Sequence, residues 1–365
     1  MPSPLLAAAP GAVPADGPDA GVAAHYGDPF GEQRALTSAL GLVDRSHRGV
    51  IRIGGQDRLS WLHSLTTQDV EHLAPGATAE ALILSPSGHI EHHLTLTDDG
   101  THVWAHVEPG TAAALLEFLE SMRFMLRVEP ADVSADYAVL TVMGPDAELA
   151  PGGTTPRAQA AEIADWTNAT AAARTHAFGM DVIVRRERLA EAAEDLQARG
   201  AVLAGIWAYE ALRIAARRPR LGLDTDHRTI PHEVGWIETA VRLNKGCYRG
   251  QETVARVHNL GHPPRRLVFL HLDGSEDRLP AHGDPVSLDG AGAAGGAVGF
   301  VGSAARHYEL GPIALALVKR TIPVEVPLLA GGLAAAQEVI VPPDAGANVK
   351  LTLRRPKADL TRSRE

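Results

Sequence analysis

The chain has 365 residues, 45% of them apolar and 21% charged, and a formal net charge of −10. This is the composition of a soluble globular protein of two to three domains at ~100–200 residues each, and its acidity disfavours binding to phosphate backbones, so no direct nucleic-acid contact is expected. The single cysteine excludes an intrachain disulfide, a cysteine-rich zinc site and a self-ligated iron–sulfur cluster. Residues 1–24 are rich in Ala, Pro and Gly, lack a basic start, and are interrupted by Pro10 and Pro14. They read as a disordered arm rather than a secretory signal. The absence of bridges suits a reducing compartment, the cytoplasm, and no run of ~18 apolar residues marks a membrane helix.

Residues 49–53 read as a strand ended by Gly54-Gly55, after which Asp57 caps a helix carrying Leu59, Leu62 and Leu65 on one stripe. Strands at 81–85, 89–97 and 101–107 are separated by Pro86-Ser87-Gly88 and Asp98-Asp99-Gly100, a hairpin series that predicts an antiparallel sheet. A helix over 111–122 and a strand over 137–143 follow. Residues 148–173 have little periodicity and read as a variable connection. Helices are expected over 189–199 and 206–217, the second stopped by Pro219. Residues 222–262 are dense in Gly, His, Arg and carboxylates and read as loops that aim functional groups. After Pro263-Pro264, short runs at 267–272, 298–302, 313–318, 338–341 and 348–353 predict a separate small β-barrel or sandwich.

Chemistry concentrates in Lys245-Gly246-Cys247-Tyr248-Arg249-Gly250-Gln251-Glu252. Two glycines bracket the thiol and permit tight turns. Lys245 and Arg249 stand within two residues of Cys247, and nearby cations favour a thiolate. A buried, inert cysteine is the competing reading. The run Arg217-Arg218-Pro219-Arg220 can hold an anion such as a carboxylate tail, or form a solvated face. His89, Glu91 and His93 at alternate positions can be metal ligands or a histidine-rich surface. No motif closes that set, and no metal is expected.

The segment at 245–252 resembles the signature K-G-C-Y-x-G-Q-E of YgfZ-type proteins, relatives of the glycine-cleavage T-protein (aminomethyltransferase) family, and Thr253 to Val257 continue it. Asp44-Arg45-Ser46, Gly54, Asp57 and Thr66-Thr67-Gln68-Asp69 are similar to that family's N-terminal folate-binding region. Gly144-Pro145, Ile230-Pro231-His232-Glu233 and residues 299–319 fit as well. The resemblance implies an α+β fold of three modules: an antiparallel folate-binding domain, a ferredoxin-like domain and a C-terminal β-barrel. The first two would intertwine over residues 25–262 and the barrel would span 263–355, ahead of a charged tail at 356–365. It also implies tetrahydrofolate as cofactor and a role in assembling or repairing iron–sulfur clusters. Partners would be client enzymes, including tRNA-modifying radical enzymes, or assembly proteins, with Cys247 as the key thiol and Lys245 beside it.

A folate-dependent aminomethyl or methyl transferase is the alternative, and a redox-sensing interaction protein a third. In the aminomethyltransferases a pair of the form G-x-I-D-D positions folate and the aminomethyl carrier. The matching stretch here is Gly88-His89-Ile90-Glu91-His92-His93, in which Glu91 keeps the first acid and His92 replaces the second. Strand alternation puts Ile90, His92, Leu94 and Leu96 on one face. The pattern L-R-x-E-A-G becomes Leu212-Arg213-Ile214-Ala215-Ala216-Arg217, so the pterin-facing acid is lost at Ala215. Folate needs an aromatic slot, a carboxylate for the pterin edge and a cation for its tail. Tyr209 is the candidate for the slot, Glu233 for the edge (with Glu210 as a further acid), and Arg256 or Arg249 for the tail.

Overall fold

In the computed structural model, residues 2–9, 11–144, 170–176, 179–290 and 296–348 are described. Most of the connection at 148–173, the strand expected at 348–353 and the tail at 356–365 lie outside them. The order of elements is α1 (Pro4–Ala8), β1 (Val13–Pro14), β2 (Ala23–His25), α2 (Pro29–Ser38), β3 (Gly41–Asp44), β4 (Gly49–Gly54) and α3 (Arg58–Leu65). Next come β5 (Thr78–Leu84), β6 (Ile90–Asp98), β7 (Val103–Val107), α4 (Ala112–Ser121), β8 (Glu129–Asp132), β9 (Tyr137–Met143), β10 (Thr170–His176) and β11 (Gly179–Arg185). Then follow α5 (Leu189–Ala198), β12 (Val202–Ala204), α6 (Ile206–Ala215), α7 (Trp236–Thr239) and α8 (Gln251–Leu260). The last strands are β13 (Arg265–Leu272), β14 (Pro285–Leu288), β15 (Gly299–His307), β16 (Gly311–Lys319), β17 (Leu328–Ala330) and β18 (Leu333–Val339).

These build three modules, as the resemblance implied. The first is a five-stranded sheet in the order β5-β6-β7-β4-β8. Its alternation sends Ile51, Ile53, Ala81, Ile83, Leu94 and Leu96 to one face, where they pack on Trp61, Leu62 and Leu65 of α3 and on Leu115 and Leu119 of α4. The second is a sheet in the order β10-β11-β9-β3-β12, with Leu189, Ala193 and Leu196 of α5 against Leu140, Val182 and Val184. The third is a closed barrel, β13-β16-β15-β14-β17-β18, and closure leaves no strand edge to pair with another chain. Leu82, Leu84 and Ile90, on the second face of the first sheet, share one core with Leu267, Phe269 and Leu315 of the barrel. Each such side chain contributes ~1.5–3 kcal/mol by leaving water.

Polar and ionic contacts cross the same boundaries. Arg45 reaches Asp181 (3.1 Å), His106 reaches the other oxygen of Asp181 (3.0 Å), and Arg48 bonds both His106 (3.0 Å) and Glu108 (2.8 Å). Arg220 joins Glu108, Glu210 and Asp19. Burial opposes the Asp19 charge, but His47 and Arg220 outweigh it and hold the carboxyl at about 2.

Three expectations are corrected. Residues 1–24 are not a loose arm: β1 pairs with β2, Leu5 joins the core of the second sheet, Val22 joins another core, and Asp19 is held by Arg220. The reason is that polar anchors two hundred residues away fix a segment too poor in apolar residues to fold alone. Asp57 stands at the N-cap of α3, but its side chain makes no capping bond, because the carboxylate takes three bonds from Arg127 instead. Within the stretch expected as loops, residues Gln251–Leu260 form a helix whose first two residues close the signature.

Candidate functional site

The signature is built around α3 and the β5–β6 turn. Lys245 is buried and its ammonium donates to the carbonyls of His63, Thr66 (2.6 Å) and Gln68 (3.1 Å), satisfying orphan acceptors where α3 ends. Burial, only partly offset by Asp69 and Glu71, pulls its pKa down to about 8. Thr67 secures the neighbouring chain: its hydroxyl donates to the Ala240 carbonyl (2.6 Å), and its own carbonyl accepts the Arg242 N–H (2.9 Å). Thr66-Thr67-Gln68 therefore docks the segment leading into the signature. Arg249 pairs with Glu91 at 2.9 Å and lies over Phe118, 5.5 Å from its ring centroid. Tyr248 is buried in the shared core, and burial pushes its phenol up to about 12.

The two glycines differ. Gly250 has φ +81°, and a Cβ there would stand 2.6 Å from the Ser85 carbonyl oxygen and 3.0 Å from the Gly88 Cα. Gly88 is also left-handed, and a Cβ on it would meet Thr253 at 2.7 Å. The hairpin turn and the start of α8 thus interlock through two positions that exclude a side chain. Gly246 has no such φ and nothing within 4 Å of a Cβ. Gln251 and the exposed Glu252 open α8, where the acid suits the positive helix end. Cys247 is exposed, and the two cations expected to stabilise a thiolate are engaged elsewhere, Lys245 by carbonyls and Arg249 by Glu91.

A cavity of about 840 Å³ opens beside this segment, where all three modules contribute walls. They are Glu80 of β5, His93 of β6, Ala216–Pro219 after α6, His232 and Val234, residues 235–239 and 241–244, His258 of α8, and residues 340–348 with breaks. The wall ends at Asn244, one residue before the signature, so Cys247 lies outside it. Tyr209, Glu233 and Arg256 do not line it either. Tyr209 is buried beneath Arg45, whose guanidinium carbon stands 4.4 Å from the ring centroid. Both oxygens of the fully buried Glu233 bind Arg265 (2.9 Å each), and one also accepts the Ile230 N–H. Glu210 is taken by Arg213 and Arg220. Arg256 is exposed on α8. The expected contacts are thus not brought together.

On β6 the cavity residue is His93, neither Glu91 nor His92. The β5–β6 register pairs Ile83 with His92 but Leu84 with Ile90, leaving Glu91 as an extra residue. This bulge turns Ile90 to the opposite face from His92, Leu94 and Leu96, correcting the simple alternation. His93 stacks on Trp236 at 4.5 Å and 16°. His92 faces Phe118 instead, and burial together with Arg249 lowers its pKa to about 4. Among the described residues, no group of three His, Cys, Asp or Glu side chains is arranged to hold a metal. His232 is buried in the cavity wall, 6.1 Å from the His258 ring, and neither of its nitrogens has a hydrogen-bond partner among the described residues. Burial, then His258, lowers it to about 4, so it is neutral at pH 7. The Ile230-Pro231-His232-Glu233 motif is the sequence signal for this residue, although Glu233 is the member whose chemistry stands out in it.

The GCVT N-terminal domain model matches residues 29–245. An aminomethyltransferase of Symbiobacterium thermophilum is 27% identical over 288 residues, covering 73% of this chain and 76% of that protein. A putative chloroplastic transferase of Arabidopsis thaliana is 26% identical over 285 residues, 70% of this chain and 61% of its own length. The crystal structure of the glycine cleavage system aminomethyltransferase T from Bartonella henselae superposes with a TM-score of 0.73 at 20% identity, over 93% of this chain and 96% of that one, a likeness of fold. With more than half of its length matched by the GCVT N-terminal domain and its three modules arranged in the aminomethyltransferase-like fold, the chain belongs to the GCVT family.

Proposed function

We propose that the chain binds tetrahydrofolate in the cavity of about 840 Å³ and acts as a folate-dependent transferase of a one-carbon unit, the class named by its aminomethyltransferase relatives. The cavity itself carries this reading. Its volume suits a drug-sized ligand, the His93–Trp236 pair gives it a flat aromatic wall, and Arg217, Arg218 and Arg242 supply cations for a carboxylate tail. Tetrahydrofolate would supply the one-carbon carrier. His232 holds a neutral donor–acceptor ring in the wall, and Glu80 and Glu238 are the acids that line it. No acid stands at His93, His92 or Ala215, so an aminomethyl carrier amine would find its ionic partner at Glu238, or at Glu80 by displacing Arg218. Incubation with an aminomethyl-loaded carrier protein and tetrahydrofolate tests this. Turnover that falls in Glu80→Gln or Glu238→Gln supports it, and no turnover removes the transferase reading.

One observation favours a second reading. The sole thiol is exposed on a segment that resembles the YgfZ-type signature, beside the cavity. A folate-binding factor that assists iron–sulfur cluster assembly or repair in cytoplasmic client enzymes, tRNA-modifying radical enzymes among them, would use Cys247 toward a partner protein. Restoration of cluster-enzyme activity under oxidative stress by wild type but not by Cys247→Ser supports it. Equal restoration by both removes the thiol from the account.

A further inference from the structure

We propose that the chain associates with a second copy of itself, the loop Arg123-Phe124-Met125-Leu126-Arg127 after α4 of one molecule docking into a groove on the barrel of the next. Phe124 and Met125 are 80% and 99% exposed, more than any other large apolar side chain among the described residues, and Leu126 beside them is exposed as well. The Leu126 N–H donates to the Arg123 carbonyl (3.1 Å), closing a β-turn in which Phe124 takes the second position at φ 47°. Glycine ordinarily supplies a positive φ at that position, and a bulky ring there is an outlier. Neither burial nor backbone preference accounts for this phenylalanine, and strain of this kind persists where the side chain it delivers is needed. The base of the loop is held on both sides. Trp61 Nε1 donates to the Met122 carbonyl (2.9 Å), and the Asp57 carboxylate takes three bonds from Arg127. An apolar tip on a fixed stem loses little freedom when it docks.

The barrel carries a groove of matching chemistry. It holds about 520 Å³ between the end of β13, residues 324–327 and β18. Leu272, Val324, Val326 and Pro327 give it apolar walls, and Asp273 and Glu325 set two exposed carboxylates against the two arginines that flank the tip. Arg127 is 70% exposed, and Asp57 occupies only its Nε and Nη2, which leaves Nη1 for a second carboxylate. Arg123 makes a half-exposed pair with Glu120 at 3.7 Å, of the weak kind that exchanges readily. Aromatic side chains, Met and Arg are the residues enriched where proteins meet. Two tips meeting each other would set arginine against arginine, and a net charge of −10 opposes approach to an anionic lipid surface. The groove of a second copy is the occupant that the charges favour. Because tip and groove are different patches, the contact closes into a symmetric pair when both tips are seated at once, and otherwise runs head to tail.

Analytical ultracentrifugation of the full chain from low to high micromolar concentration tests this. Phe124→Gly removes the tip, and Ala336→Arg, at an exposed position of β18 in the groove, blocks the docking site. Wild type is expected to gain mass with concentration, and each variant to weaken association about tenfold or more. The Tm of Phe124→Gly should hold or rise, because glycine suits φ 47°, and a lower Tm refutes the strain argument. Mixing the two variants is the sharpest arm. Each keeps the half that the other lacks, so the mixture should associate more tightly than either variant alone. A wild type that stays a single chain throughout, an association untouched by Phe124→Gly, or a mixture no tighter than its components overturns the proposal. A single-chain wild type that co-sediments with phosphatidylcholine–phosphatidylglycerol vesicles, and loses this in Phe124→Gly, overturns it in favour of a lipid surface.

Discussion

Replacing Gly250 by alanine separates two glycines that look equivalent in the signature. At φ +81° an alanine meets the left-handed penalty of ~1–2 kcal/mol. Its Cβ would also press to 2.6 Å from the Ser85 carbonyl and 3.0 Å from Gly88, both backbone atoms that move only with the hairpin. Overpacking of this kind costs ~1–3 kcal/mol. The sum, about 2–5 kcal/mol, corresponds to a Tm lowered by about 4–20 °C at ~2–4 °C per kcal/mol. Gly246→Ala is the matched control. That position has ordinary backbone angles and open space around a Cβ, so its effect should stay within about ±0.5 kcal/mol. Thermal melts followed by circular dichroism on both variants decide the matter. Comparable losses for the two, or a Gly250→Ala variant as stable as wild type, would refute the interlock between the β5–β6 turn and α8.

Three further outcomes are expected. Lys245→Met removes the donor shared by the His63, Thr66 and Gln68 carbonyls and should destabilise by about 2–4 kcal/mol in urea melts, whereas Cys247→Ser, at an exposed position, should stay within about ±0.5 kcal/mol. His106 and His232, lowered chiefly by burial to about 3 and about 4, are neutral when folded and take up protons below about 6.5 when unfolded. The unfolded chain therefore binds more protons as pH falls from about 6.5 to 4, so stability present above about 6.5 declines through that window. His232→Leu should flatten the decline, read as Tm against pH, and an unaltered slope would show that His232 does not titrate with folding. Arg265→Met strips the fully buried Glu233 of its counter-charge and should cost about 3–5 kcal/mol, with a matching drop in the urea midpoint.

Strands β4 to β7 of the first sheet and β13, β15 and β16 of the barrel are legible because β-branched and aliphatic residues run between glycine and proline turns. By contrast, β8, β14 and β17 are too short to carry such a signal, and the run at 338–341 only overlaps the end of β18. The signature was legible as a pattern, but its internal roles were not. Lys245 reads as an activating cation until α3 is folded and its carbonyl end stands at the ammonium. Glu233 reads as a ligand acid until Arg265, 32 positions along, encloses it. His93 could not be assigned to the cavity from a period of two, because the bulge at Glu91 shifts the count by one. The cavity has no local signal at all, since its wall draws on residues from Glu80 to Asn348 and exists only after the modules pack. The order of the N-terminal segment has no local signal for the same reason: its anchors, Arg220 above all, are remote in sequence.

Occupation of the cavity between the modules by tetrahydrofolate is read by titrating tryptophan fluorescence with tetrahydrofolate. Trp236, stacked on His93 in the cavity wall, is the reporter. A saturable change is expected in wild type and is largely lost in Trp236→Phe, while binding itself, followed by calorimetry, remains detectable. No saturable change in wild type up to high-micromolar ligand, or an undiminished one in Trp236→Phe, would contradict it.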